Sequence, residues 1–189
     1  MSADGYRLRV ADPADVAGAR SVMLDTFYHV FGIGYLPEHH HDVIDPESAY
    51  LRHPLNRLWV AEHAGRIVAT TAVRAQGPRH PPHPRWLTER YPDPRTAQLF
   101  RVYVRPEHQR RGLARRLVAM AVEYVDATME FDDLYLHTDA RTPGALEFWR
   151  SCARLVHDAR TPDEGFQTVH FDIPLPRHAR TGEREHAMR

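Results

Sequence analysis

The sequence predicts an α/β fold: a mixed sheet with helices on both faces. Three observations carry this. A hairpin stands in the first half, where residues 57–62 and 66–74 alternate on either side of "HAGR", with Gly65 at the turn. A strand–helix–strand run follows, with strands at 98–104 and 133–139 and a helix over 112–129. The element order is β–α–α–β–β–β–α–β–α–β–β. Such a chain begins antiparallel and then adds a β–α–β step, so the sheet contains strand pairs of both senses.

Each element has its own signal. "YRLRVA" (6–11) alternates and reads as a strand. Asp12 is placed to cap the next helix, with Pro13 at its first position. Val16, Ala19, Val22, Met23, Thr26, Phe27 and Val30 then recur at helical spacing, and "GIGYLPEHHH" ends the run. A short second helix is expected over 46–51. Residues 77–97 hold six prolines, which oppose regular helix or central strand, so a long loop is expected there. In the helix after 112, Leu113, Leu117, Met120, Ala121, Tyr124 and Val125 share one face. A last helix is expected from Thr142 as cap and Pro143 at the first position, with Leu146 and Trp149 on one face. Two strands, near 153–159 and 166–175, close the domain, taken as 1–176. Residues 177–189 read as a polar, disordered tail.

Bulk properties narrow the classes. The chain has 189 residues, enough for one sizeable core. Its 25 basic residues, all arginine, balance 25 acidic ones, which argues against general nucleic-acid binding. A single cysteine, Cys152, excludes an internal disulfide and a cysteine-based zinc cluster. No apolar run approaches the roughly 20 residues that span a bilayer, and the N-terminal residues carry no signal-peptide pattern. A cytoplasmic protein that binds neither nucleic acid nor membrane is expected. His39, His40 and His41 are adjacent in one loop and do not converge on one ion, even with His29, so no metal is expected.

The stretch "VYVRPEHQRRGLARRLV" (102–118) resembles the acetyl-CoA signature of the GNAT superfamily of N-acetyltransferases. That signature is Gln/Arg-x-x-Gly-x-Gly/Ala after a strand ending in Val-x-Pro; here it reads Gln109-Arg110-Arg111-Gly112-Leu113-Ala114. It stands between a predicted strand and a predicted helix, where the mechanism requires it. The resemblance implies a mostly antiparallel mixed sheet, flanked by helices and splayed between its two central strands. It implies acetyl-CoA as co-substrate, with backbone N–H groups from Arg110 to Arg115 on the diphosphate. Val102, Tyr103 and Val104 would offer main-chain groups to the pantetheine arm, with Thr142 and Trp149 also on the cofactor side.

Transfer to an amine also needs a base, because an alkylamine with a pKa of about 10.4 is protonated near neutrality. Many family members carry a glutamate in the strand before the signature helix, where this chain has Gln98, and glutamine is no base. Others place the base five residues before the Asn of an Asn-x-x-Ala-x-x-Phe-Tyr motif. The similar run here is Thr142-Pro143-Gly144-Ala145-Leu146-Glu147-Phe148-Trp149, which points to His137. The plain alternative is a strand histidine that is packed or exposed. Trp149 stands where family members often have a tyrosine as general acid, and indole gives up no proton; either another group such as Tyr103 is the acid, or none is needed, or the transfer is impaired. By the same resemblance, Tyr28, Phe31, Tyr35, Glu38 and His39 would line the acceptor side, with Trp86 and Tyr91 as a lid. The implied activity is direct acetyl transfer to a primary amine of a small molecule. The rival reading is a GNAT-fold module that binds acyl-CoA and transfers little. A homodimer is left open.

Overall fold

The N-terminal alternation becomes strand β1 (Tyr6–Val10) of the chain's computed structural model, which describes residues 5–162 and 167–177. Asp12 caps a single 3₁₀ turn, Pro13–Asp15, through the Ala14 N–H, and Asp15 returns a bond to the Asp12 N–H. Helix α1 (Val16–Asp25) follows and widens into a π-helical turn over Thr26–Phe31, ended by Gly32 in the left-handed conformation. The short helix expected over 46–51 is present as a second wide turn, Glu47–Leu51, and helix α2 (His41–Ile44) precedes it. The hairpin is β2 (Arg57–His63) and β3 (Arg66–Ala75), antiparallel as its turn predicts, with a bulge at Ala61/Glu62.

The proline-rich stretch is not wholly irregular. Helix α3 (Arg85–Arg90) starts directly after Pro84 and buries Leu87. The prolines precede or follow it, where a missing N–H costs no helix bond. Strand β4 (Thr96–Val104) leads through a 3₁₀ turn, Pro106–His108, into helix α4 (Leu113–Ala127). Leu113, Leu117, Val118, Ala121 and Val125 form its buried face. Strand β5 (Asp133–Asp139), helix α5 (Ala145–Arg150), β6 (Arg154–Asp158) and β7 (Thr168–Asp172) complete the order. The N-cap of α5 is Gly144, not Thr142; Thr142 instead accepts the Ala145 N–H in the preceding turn. Residues 178–189, most of the expected tail, lie outside the described residues.

The strands form one seven-stranded sheet in the order β1-β2-β3-β4-β5-β7-β6. Strands β4 and β5 pair in parallel, over Thr96↔Asp133, Ala97↔Leu134 and Gln98↔Tyr135. The chain divides into two compact units: residues up to Arg74 with Leu99–Ala121, and Ala75–Gln98 with residues from Val122 on. The first unit's core joins Ala19, Met23 and Phe27 to Val43, Tyr50, Leu58, Val60 and Ala72. The second contains a smaller cluster of Leu87, Tyr91 and Tyr135. Each large side chain so buried contributes about 1.5–3 kcal/mol. Among the described residues no helix is long and apolar enough to cross a membrane.

Candidate active site

In the first unit the loop after β4 has the form that an anion requires. Arg110 and Gly112 both take left-handed backbone, at φ 62° and 74°. Gln109 Nε2 donates to Val104 O at 3.1 Å, tying the loop to the strand end. Residues 109–112 are exposed, and a Cβ at Gly112 would meet nothing within 4 Å. The glycine therefore answers to its backbone angle and to whatever approaches from outside. The first turn of α4, a helix of 15 residues, directs backbone donors and a partial positive charge to the same side. Leu113 is buried beneath the loop, Ala114 and Arg116 are half-buried, and Arg111 and Arg115 are exposed. This arrangement fits a diphosphate.

The same unit holds an ion pair that the sequence does not show. Arg101 sits in β4 at φ 52°, a left-handed residue within a strand, and its carbonyl accepts from Thr70 Oγ1 at 2.8 Å. Its guanidinium grips Asp42 at 2.8 and 2.7 Å, lies 5.3 Å from the Phe27 ring centre, and has Nη1 3.4 Å from the Tyr103 hydroxyl. Tyr50 also donates to Asp42. Burial pushes the Asp42 carboxyl up, but the hydrogen bonds and charge of Arg101 outweigh it and hold the group below the usual range. Burial, then the Asp42 charge, pushes the Tyr50 hydroxyl well above its ordinary value. Tyr103 packs edge-on to Phe27 and Phe31, at 6.0 and 5.8 Å between ring centres. Val102 and Val104 flank it, half-buried. Of the expected acceptor-side residues, Tyr28 is 58% exposed, while Phe31 and Tyr35 are partly buried and Glu38 and His39 exposed. Burial, then the Arg101 charge, pushes neighbouring His40 down to about 4.

In the second unit His137 is exposed on β5 and meets Gln98. Gln98 Nε2 donates to His137 Nδ1 at 3.2 Å, and Gln76 Nε2 donates to Gln98 Oε1 at 3.3 Å. The structure thus joins the residue at the family's glutamate position to the histidine read from the later motif. Two further imidazoles gather there: His83 at 4.7 Å and His170 at 6.1 Å between ring centres. Burial lowers His83. His170 is fully buried; burial, then the charges of His83 and His157, push it down to about 4. Its Nδ1 shares a 2.6 Å hydrogen bond with the Tyr135 hydroxyl, and its Nε2 is buried without a partner. Among the described residues no group of three or more His, Cys, Asp or Glu is placed to hold a metal ion.

Tyr91 is no lid residue: it is 1% exposed and donates to Asp172 at 3.0 Å. Trp86 is 41% exposed, edge-on to His157. Trp149 is buried against Phe148 on α5, and Thr142 is half-buried before it. Sequence reading missed His83, His170, Gln76 and the Asp42–Arg101 pair. Residues 77–97 hold two histidines, His80 and His83, and nothing in the sequence names a partner for either.

Known proteins agree with this architecture. Residues 20–153 match the model of the acetyltransferase (GNAT) family. N-acetyltransferase 8 of Rattus norvegicus is 29% identical over 142 residues, covering 72% of this chain and 59% of that protein. The chain thus spans less than two thirds of that relative's length. A spermidine N(1)-acetyltransferase of Vibrio cholerae is 30% identical over 67 residues, covering 35% of this chain and 38% of that protein. A GNAT acetyltransferase structure from Staphylococcus aureus aligns with a TM-score of 0.68 at 14% identity, over 90% of this chain and 99% of that one. A Salmonella typhimurium protein solved with its cofactor acetyl-CoA aligns at 0.65 and 15% identity, over 93% and 96%. The two structural likenesses are of fold. The family match covers most of the chain, including the loop after β4 and His137, and this protein belongs to the GNAT acetyltransferase family.

Proposed function

We propose that the protein is an acetyl-CoA-dependent N-acetyltransferase acting on a primary amine of a small molecule. The observation that carries this reading is the exposed His137 imidazole, held at Nδ1 by the residue in the family's glutamate position. Family membership, the open left-handed loop at Arg110 and Gly112, and amine acetylation by the Vibrio cholerae relative support it.

Acetyl-CoA supplies an acyl group activated as a thioester. Backbone N–H groups between Arg110 and Arg115 would hold its diphosphate, with arginine side chains adding charge. Val102, Tyr103 and Val104 would offer main-chain groups to the pantetheine arm. His137 takes the proton from the substrate ammonium, so that the neutral nitrogen attacks the acyl carbon. Tyr103, beside the Arg101 guanidinium, returns a proton to the departing sulfur. Tyr28, Phe31 and Tyr35 offer the acceptor an aromatic surface.

Calorimetry with acetyl-CoA, followed by a thiol-release assay on a panel of small amines including polyamines, tests the reading. Binding and amine-dependent release are expected; no binding would sink it. Gln98 and the non-acidic Trp149 favour one rival, an acyl-CoA-binding module. Binding without release on any amine supports that rival.

A further inference from the structure

Gln76, Gln98 and His137 lie in a row, and their chemistry is directional. A neutral imidazole has one N–H and one lone pair. A carboxamide offers both a donor and an acceptor, whereas an ionised carboxylate can only accept. Here Gln76 Nε2 donates to Gln98 Oε1, so that oxygen is engaged and Gln98 turns its N–H toward His137 Nδ1. Nδ1 then carries the lone pair and Nε2 the proton.

The row is rigidly based. Gln98 is 3% exposed and pairs with Tyr135 in the parallel ladder. Gln76 is followed by Gly77, whose N–H donates to Asp93. A Cβ on Gly77 would stand 1.9 Å from Tyr91 O, so the backbone just after Gln76 is pressed against the loop.

We infer that Gln76 and Gln98 are positioning residues, a two-amide relay that sets which nitrogen of His137 carries the proton. This rests on the reading of His137 as the base. Nε2 can take a substrate proton only when it holds the lone pair, which places the resting proton on Nδ1, and Nδ1–H must then find an acceptor. A half-turn of each amide provides one: Nδ1–H donates to Gln98 Oε1, and Gln98 Nε2 donates to Gln76 Oε1. Both states keep two hydrogen bonds. A glutamate at 98 would hold Nδ1–H in every state. The relay thus explains why glutamine at the glutamate position is compatible with a histidine base.

Among the groups facing His137 are Gln98 from β4, His83 from the loop after β3, His170 from β7, and Tyr135 from its own strand. His83 and His170 are both disfavoured as cations by burial, so charge introduced at 76 or 98 dominates the local change.

Long-range proton–nitrogen NMR of His137 reads the tautomer without any need for turnover. Wild type should show a proton on Nε2 and a lone pair on Nδ1 above the titration. Gln76→Glu, at the partly exposed end, should invert this: the new carboxylate draws the Gln98 N–H, and Gln98 Oε1 then faces Nδ1. Gln98→Glu should invert it as well and raise the His137 midpoint by about 1 pH unit or more. If Gln98→Glu does not fold, Gln76→Glu still decides. An unchanged tautomer in the folded Gln76→Glu protein overturns the relay, whatever the turnover. Full acetyl transfer by His137→Ala removes the base reading instead, and the NMR result for the relay stands apart from it.

Discussion

At the scale of single residues, the motif that points to His137 is local: it stands five positions before Thr142. Its surroundings were not legible. Gln98 lies 39 positions away, yet the register of β4 on β5 sets it within 3.2 Å. His83 and His170 arrive from a loop and from another strand. If His137 is the base, His137→Ala should lower kcat/KM by about 10²–10⁴-fold, the range of general-base catalysis. A steady-state assay at saturating acetyl-CoA checks this, and wild-type rates in the variant would refute the role. Trp149 teaches the opposite lesson. Its identity alone removes a proton donor at position 149.

Elements carry two further expectations. The loop after β4 needs left-handed backbone at Gly112, and a side chain there costs about 1–2 kcal/mol. No neighbour would clash, so the strain is local and should show as a shifted loop. Gly112→Ala should weaken acetyl-CoA binding on the order of tenfold in calorimetry and lower the melting temperature by only a few degrees. An unchanged Kd would remove the loop from the binding account. The Arg101–Asp42 pair makes a different demand. Both side chains are buried, 10% and 5% exposed, so deleting one strands the other's charge. Arg101→Ala should destabilise the fold by about 3–5 kcal/mol, measured by urea unfolding, and Arg101→Ala/Asp42→Ala should recover part of that loss. A double variant no better than the single one would show that the pair's charges are not the cause. The α3 helix shows where element reading fell short: counting prolines does not reveal that Pro84 immediately precedes six residues able to form a helix.

For the whole molecule, buried neutral histidines set the response to acid. His170 is fully buried and His40 is 6% exposed, and both are pushed down to about 4, from about 6.5 in an unfolded chain. Their folded values are depressed, so the unfolded chain binds more protons between those limits. The stability they contribute is full above about pH 6.5 and is lost as pH falls toward 4. Urea midpoints should fall between pH 7.5 and 4.5, and His170→Phe should flatten part of that fall. Equal pH dependence in that variant and wild type would clear His170 of the effect.

From the sequence alone came the order of elements apart from α3, the hairpin, the glycine loop between β4 and α4, and the family. These rest on sterics and hydrogen bonds between near neighbours: alternation, proline placement, a left-handed glycine, a helical apolar face. Tertiary structure alone decided the partners. Arg101 meets Asp42 across 59 positions, Tyr91 turns inward to Asp172 rather than out as a lid, and Gln76 reaches His137 through Gln98. Strand register and burial choose those pairs, and both depend on segments far apart along the chain.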